Sequence, residues 1–180
     1  MTTILHIDSS ARGQGSVSRK LSADIIDRLT SENPGAQVIR RDLAKGEPFL
    51  NETWVGATFT PQDLRTAEQS SALSHSDTLV AELQAADVIV IGMPIYNFGV
   101  AATLKSWMDM VARAGVTFRY TENGPEGLLS DKKVIVAFAS GGVPQGSPVD
   151  FASPLVRQFF KFLGVQDVEF EIQAADAVAA

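Results

Sequence analysis

Apolar residues recur along the chain with two periods, and the alternation of these periods predicts strands separated by helices. Short runs rich in β-branched and apolar residues, bounded by polar or turn-forming sequence, are typical of strands. The run DVIVIGMP is almost continuously apolar, which is typical of a central strand covered on both faces of a parallel sheet. The predicted strands lie at residues 3–9, 37–43, 87–94, 132–140 and 165–172.

Helical periodicity follows the first strand. Leu21, Ile25, Ile26 and Leu29 recur on one face of a helix. The turn Asn33–Gly35 then ends this helix before the second strand. The beginning of the chain is therefore predicted to be a βαβ unit.

Three further helices are predicted from capping residues and spacing. Segment 44–60 has no clear period, but Thr60–Pro61 supplies an N-cap followed by a proline at the first helical position. A helix is therefore predicted from about 61 to 84. Two others are predicted at about 101–113 and from Ser153–Pro154 onward.

The alternation of strands and helices predicts the α/β class. Right-handed crossovers make a doubly wound sheet of five parallel strands the economical topology, in the order 2-1-3-4-5 with helices on both faces. Neither a repeat nor an interdomain linker interrupts the pattern. Residues 1–180 are therefore predicted to form a single domain.

Composition narrows the possible chemistry. The chain contains no cysteine, which excludes disulfides, thiolate metal sites and a cysteine nucleophile. Two separated histidines form no familiar metal-ligand cluster, so no metal is expected. Redox chemistry would therefore need a bound organic cofactor.

Charge and hydropathy indicate the class of partner. A net charge of −6 argues against a nucleic-acid partner, because binding to the phosphate backbone needs a basic face. No apolar run is long enough to cross a bilayer, and the N-terminus lacks the pattern of a signal peptide. We therefore expect a cytoplasmic protein with no membrane partner.

The loop after the first predicted strand suits a phosphate. Residues 9–18 read SSARGQGSVS and lead into a helix, whose unpaired N–H groups and dipole attract an anion. The loop matches neither G-x-G-x-x-G nor a P-loop, so a monophosphate fits better than a triphosphate. An equally good interpretation is that Ser16 or Ser18 only caps the helix.

Two other predicted strands also end in informative loops. Met93–Gly99 places Tyr96 and Asn97 after the central strand, where they could hold the face and rim of a planar heteroaromatic ring. Ala139–Pro144 contains consecutive glycines that expose N–H groups. An ordinary turn with core aromatics, and a flexible turn, are the respective alternatives.

Together these loops resemble those of the FMN-dependent NADH-azoreductases of bacteria, which are also NADH:quinone oxidoreductases. The resemblance is carried by SS-x5-S-x-S after the first strand, by DVIVIGMPIYNFGVAATLKSWMD, by ARAGVTFRYTENGPEGLL and by the small-Gly-Gly turn. It implies a flavodoxin-like fold, one FMN per subunit, NADH as electron donor and a homodimer. NADPH remains an alternative donor.

The resemblance also implies site residues. Tyr120 and Phe162 would line the acceptor pocket, with Tyr120 coming from the same or the second subunit. The alternative is that both are core aromatics. Ala139 replaces a usual serine, and Pro144 stands where relatives can carry a polar residue, so acceptor preference does not transfer. The implied FMN-binding residues are Ser10, Ser16, Val17 and Ser18 for the phosphate, and Ile95, Tyr96, Asn97, Phe98, Ala139, Ser140, Gly141 and Gly142 for the ring.

The implied chemistry belongs to the cofactor, so no side chain is nominated as a catalytic acid or base. The hypothesis is ping-pong transfer, in which hydride passes from NADH to the flavin and then to a quinone, or in two cycles to an azo compound that is cleaved to amines. The alternatives are a flavodoxin-type electron carrier and a hydrolase that uses Ser9 or Ser10 with His6 or His75.

Two expectations concern surfaces. The helix that contains Leu104, Trp107, Met108 and Val111 is apolar enough to be a dimer interface or, equally, a buried core helix. The sequence stops at Ala180, whereas members of the resembled family continue through a further helix. We therefore expect an apolar area of one sheet face that is either covered by a partner or left exposed at a cost in stability.

Overall fold

The computed structural model of the chain describes residues 1–172. Two short 3-10 turns lie at Leu43–Lys45 and Gln62–Leu64. In chain order the elements are β1 (Thr3–Asp8), α1 (Val17–Glu32), β2 (Gln37–Asp42), α2 (Glu52–Phe59), α3 (Ala67–Ala85), β3 (Val88–Pro94), α4 (Ala102–Val111), β4 (Phe118–Thr121), β5 (Gly124–Gly127), β6 (Lys133–Ala139), α5 (Ala152–Phe162) and β7 (Asp167–Ile172).

The central sheet has five parallel strands in the order β2-β1-β3-β6-β7. The predicted class and parallel sheet are confirmed. The predicted order 2-1-3-4-5 applies only when β4 and β5 are not counted. These two strands form a separate antiparallel hairpin, which the Gly- and Pro-rich sequence between residues 118 and 129 did not indicate.

Helices cover the two sheet faces unequally. On one face, α1 buries Ile25 and Ile26 against Ile4, Val90 and Ile135. On the other face, α3, α4 and α5 share a larger core with Leu5, Ile89, Val136 and their neighbours. Burial of such aliphatic side chains, at about 25 cal/mol per Å² of apolar area, is the main force that holds both layers to the sheet.

The segment between β2 and β3 differs from the prediction. A helix from about 61 to 84 was predicted, but Pro61 only begins a 3-10 turn, and α3 starts at Ala67. Thr66 and Gln69 form a reciprocal capping box there, which satisfies two N–H groups and outweighs the weaker signal of Thr60–Pro61. Asn51 likewise caps the unpredicted α2 by accepting a hydrogen bond from Trp54 N at 2.9 Å.

The apolar helix α4 belongs to the core of the chain. Leu104, Trp107, Met108 and Val111 are all at most 2% exposed. They pack under the sheet face that α3 and α5 also cover. The interpretation of these four side chains as a dimer interface is therefore wrong, and the core interpretation is right.

On the sheet face that α1 covers, the described residues of the outer strand β7 carry charged side chains and no apolar ones. Asp167, Glu169 and Glu171 lie in register with the α1-facing positions of β6. Lys133 Nζ donates to Glu169 at 2.8 Å, and Arg28 pairs with Glu171. The expectation of an uncovered apolar area is therefore wrong for the α1 side of the described part of β7. On the opposite side Ile172 is 54% exposed, and residues 173–180 lie outside the described residues.

One further observation bears on membrane association. Among residues 1–172, no helix combines the length and the apolar character needed to cross a bilayer.

Candidate cofactor site

Three loops meet at the carboxyl edge of the sheet because β1, β3 and β6 are neighbours in it. Ser9 N donates to Gly92 O at 3.1 Å, which joins the first loop to β3. Ile95 N donates to Ala139 O at 2.9 Å, which joins the second loop to β6. Ser10 Oγ lies 3.3 Å from Tyr96 Oη, within hydrogen-bond distance. Topology thus assembles the loops that the sequence singled out.

The first loop carries two hydroxyls at the start of α1. Ser16 is the N-cap, and its Oγ accepts a hydrogen bond from Arg19 N at 3.4 Å. Ser18 Oγ lies 3.3 Å from Ser16 Oγ, and both residues are buried. Val17 is the first helical residue, so its N–H has no partner within the helix. Ser16 therefore caps the helix, and the hydroxyl of Ser18 and the N–H of Val17 lie at the same end.

Ser9 has a structural role. Its Oγ donates to Gly92 O at 2.8 Å, and the residue is 1% exposed. His6 Nε2 lies 2.9 Å from Ser22 Oγ, and His75 pairs with Glu47. Within residues 1–172, neither histidine is hydrogen-bonded to Ser9 or Ser10. The serine–histidine pair that a hydrolase would need is therefore not formed in the described residues.

The second loop has a left-handed backbone. Asn97 (φ 49°) and Phe98 (φ 70°) both have positive φ, which is uncommon for residues other than glycine. Reciprocal hydrogen bonds between the backbones of Tyr96 and Gly99 hold the turn. Tyr96 and Phe98 remain 36% and 53% exposed. Such maintained strain is frequent in loops that hold a ligand.

The third loop leaves open space above its glycines. A Cβ on Gly141 or Gly142 would meet nothing within 4 Å. Ser140 Oγ accepts hydrogen bonds from Gly142 N at 3.3 Å and Val143 N at 2.7 Å. Within the described ranges, no residue accepts a hydrogen bond from Gly141 N. That N–H is thus available to a ligand.

A buried carboxylate that the sequence did not reveal connects this loop to α5. Asp150 is 3% exposed and accepts hydrogen bonds from Gly146 N at 2.8 Å, Ala152 N at 3.0 Å and Ser153 N at 2.9 Å. Burial raises the pKa of Asp150, but these N–H groups outweigh it and hold the pKa below its usual value. The helix starts at Ala152, one residue before the predicted Ser153–Pro154, and the carboxylate of Asp150 satisfies the N–H groups of its first two residues.

Tyr120 and Phe162 lie together but away from the three loops. Phe118 packs between them, with ring centroids 5.4 Å from Tyr120 and 4.4 Å from Phe162. The hairpin is attached to the end of α5, where Leu129 N donates to Leu163 O at 2.9 Å. Leu163 precedes β7, so this cluster lies toward the amino edge of the sheet. A strand of six residues separates the two edges by about 20 Å.

Acidic and histidine side chains do not converge elsewhere in the described part of the chain. No group of three or more of the usual metal-binding side chains is close enough there to hold an ion. The site consists of hydroxyls, backbone N–H groups and aromatic surface. Such a site can bind a phosphate and a planar ring, and it leaves electron transfer to the ligand.

The chain is similar in sequence and fold to several known proteins. A family model described as "Flavodoxin-like fold" matches residues 2–179. "FMN-dependent NADH:quinone oxidoreductase 1" of Jannaschia sp. is 58% identical over 170 residues, which cover 94% of this chain and 86% of that protein. "FMN-dependent NADH:quinone oxidoreductase 6" of Burkholderia lata is 56% identical over 171 residues, 94% and 86% of the two chains. The crystal structure of an azoreductase from Bacillus anthracis has a TM-score of 0.87 at 31% identity, over 96% of this chain and 86% of that one.

Proposed function

Since this chain belongs to the family with the flavodoxin-like fold, we propose that it is an FMN-dependent oxidoreductase. It would transfer hydride from NADH to quinones and reductively cleave azo compounds to amines. The observation that carries the proposal is the convergence of a hydroxyl-lined helix N-terminus with two loops that can hold a planar ring. The relatives named above are FMN-dependent NADH:quinone oxidoreductases, and the similar structure is an azoreductase.

The phosphate of FMN fits the first loop. Ser16 and Ser18 supply hydroxyls, and the N–H of Val17, which has no partner within the helix, lies at the positive end of the α1 dipole. Ser10 Oγ reaches toward Tyr96 and completes the side of the loop that faces β3. Hydrogen bonds from these groups would hold the phosphate.

The isoalloxazine ring fits the second and third loops. Ile95, Tyr96, Asn97 and Phe98 would line one edge and face, and the open backbone at Ala139–Gly142 would face the polar pyrimidine edge. FMN supplies the chemistry when bound, by accepting hydride from NADH and passing electrons to the acceptor. Gly141 N–H would stabilise negative charge at the pyrimidine edge, as an oxyanion-hole donor does.

We also propose that the enzyme is a homodimer in which Tyr120 and Phe162 complete the site of the second copy. An apolar stripe runs along the outer face of α5 through Phe151 (64% exposed), Leu155 (37% exposed), Phe159 and Phe162. Phe151 N donates to Phe98 O at 3.2 Å, so one end of the stripe adjoins the second loop. The other end adjoins Tyr120, which is 73% exposed.

A twofold interface along this stripe would bring the two ends together. In an isologous contact, each copy offers the same surface, so the loop end of one stripe faces the Tyr120 end of the other. Tyr120 and Phe162 of one copy would then lie beside the loops of the other copy. The separation of about 20 Å between these residues and the loops of their own chain would not have to change. Burial of this exposed stripe would also supply a hydrophobic driving force for association.

Location and remaining partners belong to the same proposal. We place the protein in the cytoplasm, where its electron donor NADH is found. The net charge of −6 supports the absence of a nucleic-acid partner. NADH and a quinone or azo acceptor are then the only partners that the proposed reaction requires besides the second subunit.

The proposal is tested by the visible absorbance of FMN added to the purified protein. We expect the protein to bind FMN, NADH to bleach the flavin absorbance, and benzoquinone to restore it. An azo dye should consume two NADH for each azo bond cleaved. Binding of FMN without bleaching by NADH would support the electron carrier instead, and absence of FMN binding would refute the proposal.

A further inference from the structure

Arg19 lies behind the first loop and is surrounded by oxygen acceptors. Its Nε donates to Arg12 O at 2.9 Å, and its Nη2 donates to Ser10 O at 2.9 Å. Both terminal nitrogens pair with Asp42, at 2.6 and 3.1 Å, and Nη1 also lies 3.5 Å from Asp8 Oδ2. These contacts occupy the whole fork of the guanidinium, whose side chain is 17% exposed.

The two carbonyls that Arg19 holds determine which way the loop's N–H groups point. In a trans peptide, the C=O and the following N–H point in opposite directions. Because Ser10 O faces Arg19, Ala11 N–H faces the second loop and donates to Tyr96 Oη at 3.3 Å. The same geometry turns Gly13 N–H away from Arg19. Carbonyl oxygens, which repel an anion, are thus kept on the side away from the second loop.

The position of Arg19 in its helix is unfavourable on local grounds. It is the third residue of α1, and a cation near a helix N-terminus opposes the helix dipole. Asp42 and Asp8 offset this cost. The hydrogen bond with Asp42 raises the pKa of Arg19, and the same bond lowers the pKa of Asp42. Arg19 destabilises the start of its own helix, yet its guanidinium is fully hydrogen-bonded. This combination indicates that Arg19 stabilises the first loop and not the helix.

We propose that Arg19 is a positioning residue for the FMN phosphate. It does not contact the ligand, but it fixes the two peptide groups whose N–H sides face the binding region. The inference rests on the proposed function. Lysine could not replace it, because an ammonium is a point charge that cannot hold two carbonyls and a bidentate carboxylate in one plane.

The test compares FMN with riboflavin, which has the same ring but no phosphate. Both ligands are titrated by fluorescence into apo forms of the wild type, Arg19→Lys and the control Arg28→Lys. Arg28 lies on the same helix and pairs with Glu171, far from the loop. We expect Arg19→Lys to weaken FMN about tenfold, the effect of one charge-assisted hydrogen bond, and riboflavin by less than about twofold. Arg28→Lys should change neither affinity.

Each other outcome decides against the inference. An equal loss of affinity for FMN and riboflavin would mean that Arg19 only stabilises the fold. Unchanged affinity for FMN would mean that the loop keeps its geometry without the guanidinium of Arg19. If Arg19→Lys does not fold, Asp42→Asn replaces it, since Asp42 is half exposed and holds the guanidinium in place. FMN-selective weakening in Asp42→Asn would support the inference, and its absence would overturn it. Failure of the wild type to bind FMN would instead overturn the proposed function.

Discussion

Glycines in this fold serve opposite purposes, and the difference is visible residue by residue. Gly92 on β3 has no room for a side chain, because a Cβ there would lie 2.6 Å from Asp8 Oδ1 and 3.0 Å from Ser22 Oγ. Gly141 has open space around its Cβ position and no positive φ. Gly92 is therefore required by packing of the chain itself, whereas the free surface at Gly141 suits approach of a ligand.

Gly141→Val should therefore weaken FMN binding without harming the fold. We expect at least about a tenfold loss of FMN affinity, because the branched side chain would occupy the space of the ring and shield the N–H. The melting temperature of the apo protein should change by no more than about 2 °C. Gly56→Ala, on the remote helix α2, serves as the control. Unchanged FMN affinity in a folded Gly141→Val protein would contradict the assignment of the ring site.

Asp150 predicts a specific acid dependence of stability. Its pKa is lower in the folded chain than the unfolded value of about 3.9, so its contribution to stability is complete above that pH. The contribution is lost as the pH falls below 3.9 through the folded pKa. Asp150→Asn keeps an acceptor but cannot titrate, and we expect it to cost about 1 kcal/mol at neutral pH.

The measurement is the urea midpoint of both proteins from pH 6 to pH 2.5, a range chosen around the reference carboxyl pKa of about 3.9. The difference between the wild type and Asp150→Asn should shrink as the pH falls. A difference that stays constant down to the lowest pH would show that the pKa of Asp150 is the same in the folded and unfolded states, and it would contradict the effect expected of the three N–H donors.

At the scale of elements, the β4–β5 hairpin is attached by a contact between two backbones. A Cβ on Gly127 would lie 2.0 Å from Leu163 C and from Gly164 N. Gly164 has φ +98° and approaches the Gly127 backbone from the other side. Backbone atoms cannot rotate away as a side chain can, so the hairpin and the end of α5 fit only while both positions are glycine.

Gly127→Ala should therefore separate the hairpin from α5. We expect a loss of about 3 kcal/mol in the free energy of unfolding, the upper range for overpacking. Gly124→Ala, in the turn of the same hairpin, has open space and should cost only about 1 kcal/mol for its positive φ. Urea unfolding of both variants makes the comparison. Equal costs would show that the hairpin does not depend on the close backbone contact.

At the scale of the whole molecule, the proposed dimer predicts complementation between two defective variants. Tyr120→Ala would remove the residue contributed across the interface, and Gly141→Val would remove the ring site within one chain. In a hybrid dimer, one site then contains both variants and the other contains neither. Random assembly makes half of the dimers hybrid, so about a quarter of the wild-type quinone reductase activity should return.

The experiment needs co-expression of the two chains, followed by purification and assay of the whole mixture of dimers. Each variant purified alone is the control and should have little activity. If Tyr120 acted within its own chain, both sites of the hybrid would be defective and no activity would return. That result would overturn the proposed contribution across the interface.

Periodicity and short loop sequences determined much of this molecule without tertiary information. The central strand β3 could be predicted because a strand buried on both faces must be apolar along its length, as DVIVIGMP is. The apolar face of α1 could be predicted for the same reason, since Ile25 and Ile26 must face the sheet. The serines, glycines and aromatics of the three loops identified the candidate site because they follow strands that end at one edge.

Other features depend on residues far apart in sequence, and only the tertiary structure decided them. The N-cap of α3 lies at Thr66 and not at the predicted Thr60, and the burial of α4 was ambiguous because an apolar helix suits a core or an interface equally. Asp150 and Arg19 look like solvated charges in the sequence, and their roles appear only when the chain folds distant N–H groups and carbonyls around them. Tyr120 is separated from the loops by the length of the sheet. A sequence pattern records which side chains prefer burial, but it does not record the distances between them.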